Sequence, residues 1–142
     1  MDGMVAIFIV YDWTTNAIIV NPVKNKKEET IVECFKKNIE YLSKRGFKTV
    51  LNIINNVATR AVQAYLEKEN VDIQLVEPHN HGVNAADRAI KTFKNHLIMG
   101  LSTCDASLPS LFWDKIIPQA QDSLIMLQTS RVHPNLSAYS VL

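Results

Sequence analysis

The order of apolar runs in this chain restricts it to folds that combine helices with a sheet. Two runs rich in β-forming residues open the sequence, Val5 to Tyr11 and Ala17 to Val23. The polar segment Asp12 to Asn16 separates them and has the length of a hairpin turn. We therefore predict an antiparallel β-hairpin at the start of the chain.

After the hairpin, segments of helical periodicity alternate with two short β-rich runs. The predicted order is helix 28–44, strand 49–54, helix 58–69, strand 71–76, helix 83–101 and helix 109–127. Strands separated by a helix are expected to be parallel. Beyond Arg131 the sequence indicates irregular structure. The predicted fold class is therefore α/β, with a mixed sheet (a β-hairpin plus parallel strands) flanked by helices.

The composition predicts one globular domain that spans residues 1–142. With 47% hydrophobic and 20% charged residues, the chain has enough apolar surface for a sizeable core. The formal net charge of +1 argues against a strongly basic nucleic-acid binder, so any phosphate contact must come from a local patch. No run of 18 apolar residues occurs, so we expect no membrane partner. We expect an intracellular protein, cytoplasmic or nuclear.

The segment Asn84 to Leu97 carries the most chemical information. Its sequence, NAADRAIKTFKNHL, is predicted to be helical, which places Lys91 and Lys94 on the same face as Asp87, four and seven residues further on. A carboxylate can hold a metal ion, and cations along the same stripe suit contacts with phosphate. This pattern favours an enzyme that works on a phosphate backbone.

Five stretches of the chain resemble the catalytic core of a retroelement integrase, in particular that of copia-like LTR retrotransposons. These are YDWTTNAIIVNPVKNK, LNIINN, VDIQLVEPHNHGVNAADRAIKTFKNH, FWDKIIPQAQ and SRVHPNLSAY. The resemblance runs from Val5 to Leu142 and implies a ribonuclease H-like fold, DNA as a partner and homo-oligomerisation. It also implies hydrolysis of a DNA end followed by strand transfer, and a chain that lacks the family's first strand, which precedes the hairpin.

Integrases of this kind hold two divalent metal ions, Mg²⁺ or Mn²⁺, with two aspartates and a glutamate, and this chain departs from that triad. Neither Asp2 nor Asp12 stands where the first aspartate is expected. Asn55 stands at the position of the second aspartate, and Asp87 at that of the glutamate. Two cations facing one carboxylate are poorly neutralised. We therefore expect a degenerate triad without strand-transfer activity, and weak metal binding by Asp87 with Asn55 at most.

Lys91 and Lys94 match positions that face DNA in the integrase family, and Arg88 lies one step round the helix. The predicted function is that of a degenerate integrase core that retains weak, sequence-independent DNA binding through these three cations. The alternative for these side chains is an ordinary solvated helix face.

Two alternatives for the whole chain remain open. One is an active, divalent-metal-dependent integrase or nuclease, whose missing aspartate would come from upstream sequence or from a partner chain. The other is a non-enzymatic scaffold for protein contacts.

Four further residues receive structural interpretations. His79 and His81 form an H-x-H pair without a visible third ligand nearby, so we interpret them as loop residues rather than a zinc site. Trp113 is predicted to lie in the core or an interface, and Trp13 to pack over the sheet edge, instead of stacking on bases.

Overall fold

The computed structural model describes residues 3–54, 59–76, 85–109 and 112–142. Within these ranges the elements are β1 (Ala6–Asp12), β2 (Ala17–Val23), α1 (Glu28–Ser43), β3 (Leu51–Ile54), α2 (Arg60–Lys68), β4 (Asp72–Leu75), α3 (Ala85–Ser102), α4 (Trp113–Leu127) and α5 (Ala138–Val141). The first eight follow the predicted order, and the bounds differ from the prediction by a few residues.

The four strands form two two-stranded sheets. β1 and β2 are antiparallel, with Ala6 opposite Val23 and Asp12 opposite Ala17. β3 and β4 are parallel and in register along their whole length, as the intervening helix α2 requires. The hairpin, the parallel pair and the α/β fold class predicted from the sequence are confirmed.

The hairpin turn is held by the side chain of Asp12. Its Oδ2 atom accepts hydrogen bonds from the backbone N–H of Thr15, at 2.8 Å, and from the Thr15 hydroxyl, at 2.6 Å. Asn16 follows with a φ of 65°, in the left-handed region that asparagine tolerates better than most residues. Asp12, the last residue of β1, therefore has a structural role in the turn, in agreement with the sequence interpretation.

The chain divides into two compact units, and the first, which we call the hairpin unit, comprises the residues up to Lys24 and those from Ala85 onward. Helices α3 and α4 cover its hairpin. The buried core consists of Ile18, Val20, Ala89, Phe93, Leu97, Ile117, Ala120 and Leu124. Each fully buried large apolar side chain in such a core stabilises the fold by roughly 1.5–3 kcal/mol.

Helix α4 also covers the outer edge of β2. The Gln121 side chain accepts a hydrogen bond from the backbone N–H of Val20, at 2.7 Å, through its Oε1 atom. Pro22, two residues along the same edge, has no N–H to pair. Both features disfavour the pairing of a further strand with β2.

The second unit, which we call the parallel-strand unit, comprises residues 25–84. Its buried apolar side chains come from both helices and from the strand segments: Ile31, Cys34, Phe35, Leu42, Ile54, Val62, Leu66 and Val71. Thr59 caps helix α2 by accepting a hydrogen bond from the N–H of Val62. Glu28, at the start of α1, accepts another from the N–H of Ala61, at 3.0 Å, and so ties the two helices together.

The prediction of irregular structure beyond Arg131 is wrong at its end, where α5 forms. The chain reverses after α4 through a bridge between Thr129 and Ser137. The Ser137 side chain then caps α5 by accepting from the N–H of Ser140. Ala138 is fully buried against Ala17 and Ile125, and this contact holds so short a helix in place.

In the part of the chain that the structure describes, no helix is both long and apolar enough to cross a membrane. The assignment of residues 1–142 to one domain stays a prediction.

Candidate nucleic-acid interface

The apolar residues of helix α3 determine which of its sides faces the core of the hairpin unit. Ala89, Phe93 and Leu97 recur at spacings of four residues and are buried in the hairpin unit. Because neighbours at this spacing share one side of a helix, residues between them point elsewhere. The sequence around these three residues therefore decides which polar side chains of α3 reach solvent.

The three cations predicted to contact DNA, Arg88, Lys91 and Lys94, are exposed on α3. Among the described residues, none of the three side chains forms an ion pair or a hydrogen bond. Elsewhere on the surface Lys44 pairs with Glu40 at 2.7 Å. The charges on α3 are thus not neutralised by the described part of the chain and are available to an anionic ligand.

Asp87 lies in the first turn of α3, and its side chain is half-buried. A carboxylate at this end of a helix interacts favourably with the unpaired backbone N–H groups there. The acid and the two lysines follow one another along the helix as predicted, with Asp87 at the first turn and the lysines in the next two. Arg88 is displaced around the helix by about 100° from Asp87.

The metal site expected from the resemblance requires several carboxylates close together. Asn55, its second position, lies outside the described residues, as do His79 and His81. Among residues 3–54, 59–76, 85–109 and 112–142, no group of three or more His, Cys, Asp or Glu side chains could hold a metal ion. The described residues therefore do not fit a two-metal centre, and the assignment of Asp87 and Asn55 stays a prediction.

His96 lies on the side of α3 that faces α4, away from the cations. Its Nε2 atom is 2.8 Å from Oγ of Ser123, which in turn donates to the carbonyl oxygen of Ala120 at 3.2 Å. This contact joins the two helices inside the hairpin unit. The structure gives His96 a packing role.

The two tryptophans differ in their surroundings. Trp113 is half-buried and packs against the core of the hairpin unit, which confirms its sequence interpretation. Trp13 is 56% exposed, with its ring edge-to-face against Tyr11 of β1 and the guanidinium of Arg131 lying 3.8 Å from its centroid. Arg131 could not be identified from the sequence, because it approaches Tyr11 from 120 residues further along the chain.

No model of a known protein family matches this sequence, and no curated protein matches it either. Solved structures do match. The HTLV-2 integrase catalytic core domain in complex with magnesium, a trimeric form, superposes with a TM-score of 0.71 at 18% identity, covering 95% of this chain and 82% of that one. The catalytic core domain of BIV integrase gives a TM-score of 0.69 at 12% identity, with 95% and 83% covered.

A third match is to a chain of the simian T-cell lymphotropic virus intasome, determined in complex with a PP2A regulatory subunit. Its TM-score is 0.75 at 13% identity, and the match covers 95% of this chain but 47% of that one. Likeness at such low identity establishes the fold. The chain has the ribonuclease H-like fold of retroviral integrase catalytic cores.

Proposed function

We propose that this chain is a degenerate integrase catalytic core of retrotransposon origin, copia-like in its sequence motifs, which binds DNA weakly and without sequence preference. The interface is the surface of α3 that carries Arg88, Lys91 and Lys94, beside Asp87. The observation that carries the proposal is the exposure of these three cations without a partner in the described part of an integrase-like fold.

The expected strength of binding follows from the charge of the chain. A formal net charge of +1 provides little long-range attraction for a polyanion. Affinity then depends on a few local phosphate contacts, each of which releases condensed counterions and weakens as salt is raised. No base-reading contact is part of the proposal, so binding is independent of sequence.

The proposed absence of strand transfer rests on the residues at the triad positions. Asn55 can offer a neutral carbonyl oxygen where the family has a carboxylate, and Asp87 supplies a single negative charge. Stabilising two divalent ions on the reacting phosphate requires more anionic oxygens than these two residues provide. The protein is therefore proposed to be inactive, with no resident Mg²⁺ or Mn²⁺.

The proposal is tested by fluorescence anisotropy with a labelled DNA duplex over a range of salt concentrations. Lys91→Ala/Lys94→Ala is expected to weaken binding and to lower the slope of log K against log salt by about one for each lysine–phosphate interaction removed. Lys36→Ala/Lys68→Ala is the matched control, because it removes the same charge from exposed helical positions of the parallel-strand unit. Equal effects of the two double variants would contradict the proposal.

Catalysis is tested separately with DNA ends and Mn²⁺. We expect neither cleavage nor end-joining above the level of Asp87→Ala. Product that forms with the wild-type chain and disappears in Asp87→Ala would instead establish the alternative of an active metal-dependent enzyme.

Homo-oligomerisation is part of the proposal and is supported by the free edge of β1. Val20 donates its N–H to Gln121, so its backbone groups point away from β1. In an antiparallel ladder the backbone groups of its partner Ile9, and those of Ile7 two residues earlier, then point away from β2. No strand among the described residues pairs with that edge. Sedimentation equilibrium should reveal a concentration-dependent oligomer, and a monomer at all concentrations would contradict this part.

A further inference from the structure

An exposed aromatic and cationic cluster at the hairpin turn is not used by the proposed α3 interface. It consists of Trp13, Tyr11 and Arg131, and we call it the aromatic platform. The Arg131 guanidinium lies over the Trp13 ring at 3.8 Å, and Tyr11 meets the same ring edge-to-face at a centroid distance of 6.3 Å. Even with both neighbours in place, Trp13 stays 56% exposed, so indole surface remains open to solvent.

The platform is held rigid by a chain of hydrogen bonds. Two N–H groups of Arg131, Nη2 at 3.1 Å and Nε at 3.4 Å, donate to the Tyr11 hydroxyl. That hydroxyl donates to Oδ1 of Asn16 at 2.6 Å, and Nδ2 of Asn16 donates to the carbonyl oxygen of Thr129 at 2.9 Å. The network joins the hairpin turn to the segment after α4, so the phenol and the guanidinium that contact the indole are positioned before any ligand arrives.

The platform carries one positive charge, that of the Arg131 guanidinium. Among the described residues Arg131 forms no ion pair with a carboxylate. The nearest acid in sequence to Trp13, Asp12, uses its Oδ2 atom to hold Thr15 in the turn. The Arg131 guanidinium donates to the Tyr11 hydroxyl through Nε and Nη2. Its Nη1 group forms no such bond, so its N–H donors are available to an anion.

We propose that the aromatic platform binds single-stranded DNA, with one base stacked on the exposed indole surface of Trp13 and a neighbouring phosphate contacting Arg131. A flat π surface beside an unpaired cation matches a ligand that has both a ring and a negative charge, which is a nucleotide. Duplex DNA does not present its bases in this way, because they are paired and stacked. The inference rests on the proposed function and adds unpaired DNA ends to its ligands.

The test uses the fact that the chain contains two tryptophans, Trp13 and Trp113. Trp113→Phe leaves Trp13 as the sole indole fluorophore while keeping an aromatic ring against the core. Titration of this variant with an oligo(dT) of about 12 nucleotides is expected to quench the fluorescence, because the base stacks directly on the indole. The fold of each variant is checked by its thermal unfolding midpoint.

Affinities are then compared among Trp13→Ala, Trp13→Phe and the wild-type chain. Trp13→Ala should bind oligo(dT) about tenfold more weakly, and Trp13→Phe should recover most of the affinity because it retains a stacking surface. Neither substitution changes the charge, so the salt slope should stay that of the wild type. Arg131→Lys should weaken binding as well, since it keeps the charge but removes the planar group over the ring.

The outcomes separate this inference from the proposed function. Unquenched Trp13 fluorescence, or oligo(dT) affinity unchanged in Trp13→Ala, would overturn the inference, even if Lys91→Ala/Lys94→Ala weakened duplex binding. Loss of oligo(dT) binding in Trp13→Ala, with duplex binding insensitive to the two lysines, would support the platform and contradict the α3 interface.

Discussion

The hairpin unit and the parallel-strand unit bury their strands to different extents. In the hairpin unit, the stretch from Ala17 to Val20 is buried along its whole length under helices of the same unit. In the parallel-strand unit, Leu51, Ile53 and Leu75 remain exposed although they lie in strands. Apolar strand residues are therefore buried more completely in the hairpin unit than in the parallel-strand unit.

The difference has a physical origin in how each sheet is connected. A tight turn joins β1 to β2, so seven consecutive residue pairs form with little loop entropy. The parallel pair needs the α2 crossover, and only four residue pairs form. In that pair Leu51 and Ile53 share a face with Asp72 and Gln74, and all four side chains are exposed, so this face of the sheet is uncovered.

The largest effect is expected from Phe93→Ala in the core of the hairpin unit. Phe93 is 1% exposed, and truncating a fully buried phenylalanine typically lowers the free energy of unfolding by about 3–5 kcal/mol. Ile98→Ala, on the same helix but 53% exposed, is the control and should cost less than about 1 kcal/mol. Urea unfolding followed by circular dichroism measures both, and similar destabilisation by the two variants would refute the assignment of the helix faces.

Leu66→Ala gives the corresponding measurement for the parallel-strand unit. Leu66 is fully buried, and its truncation should cost about 2–5 kcal/mol. Leu51→Ala, at an exposed strand position, should change the free energy of unfolding by only about 0.5 kcal/mol. If Leu51→Ala were as costly as Leu66→Ala, the strands of this unit would be covered after all, and the contrast between the units would disappear.

Gln121→Leu tests how the hairpin unit covers the outer edge of β2. The substitution removes the acceptor of the Val20 N–H and leaves a partly buried donor unpaired, at a cost of about 1–3 kcal/mol. Gln121→Glu keeps an acceptor in reach and is expected to destabilise the fold less. Hydrogen exchange of the Val20 amide, measured by NMR, should accelerate in Gln121→Leu only. Unchanged exchange would show that another group covers this edge.

The smallest effect concerns the pH response of the parallel-strand unit. Hydrogen bonds from the Thr59 side chain and then from the Ala61 N–H hold the pKa of Glu28 below its ordinary value of 4.5. A carboxyl whose pKa is lower in the folded state contributes stability above the unfolded-state pKa, and this stability disappears as pH falls through the folded value. NMR titration should give a pKa below 4.5 for Glu28, and a smaller depression in Thr59→Ala, which removes the larger cause and keeps the hydrogen bond from the Ala61 N–H. A normal pKa in the wild type would contradict the contact.

The fold was predictable where its signals are local. The β-rich runs on either side of Asp12 to Asn16 predict the hairpin, and helical periodicity predicts the segments that form α1 to α4. Helix α5 was not predictable, because it has four residues and depends on the burial of Ala138 against residues distant in sequence.

The same limit applies to the candidate sites. The exposure of Lys91 and Lys94 follows from helical periodicity, and the structure agrees with it. Sequence spacing cannot indicate which cations lack a partner, since an ion pair depends on distance in space. The position of Arg131 over Trp13 likewise results from the reversal of the chain after α4.

The proposed role of α3 as the DNA-binding surface can be tested by an NMR titration of the ¹⁵N-labelled chain with duplex DNA. We expect the amide shifts of α3 around Arg88, Lys91 and Lys94 to change progressively, and the changes to shrink as salt is raised. Shift changes centred on Lys36 and Lys68, or none at any residue at low salt, would contradict it.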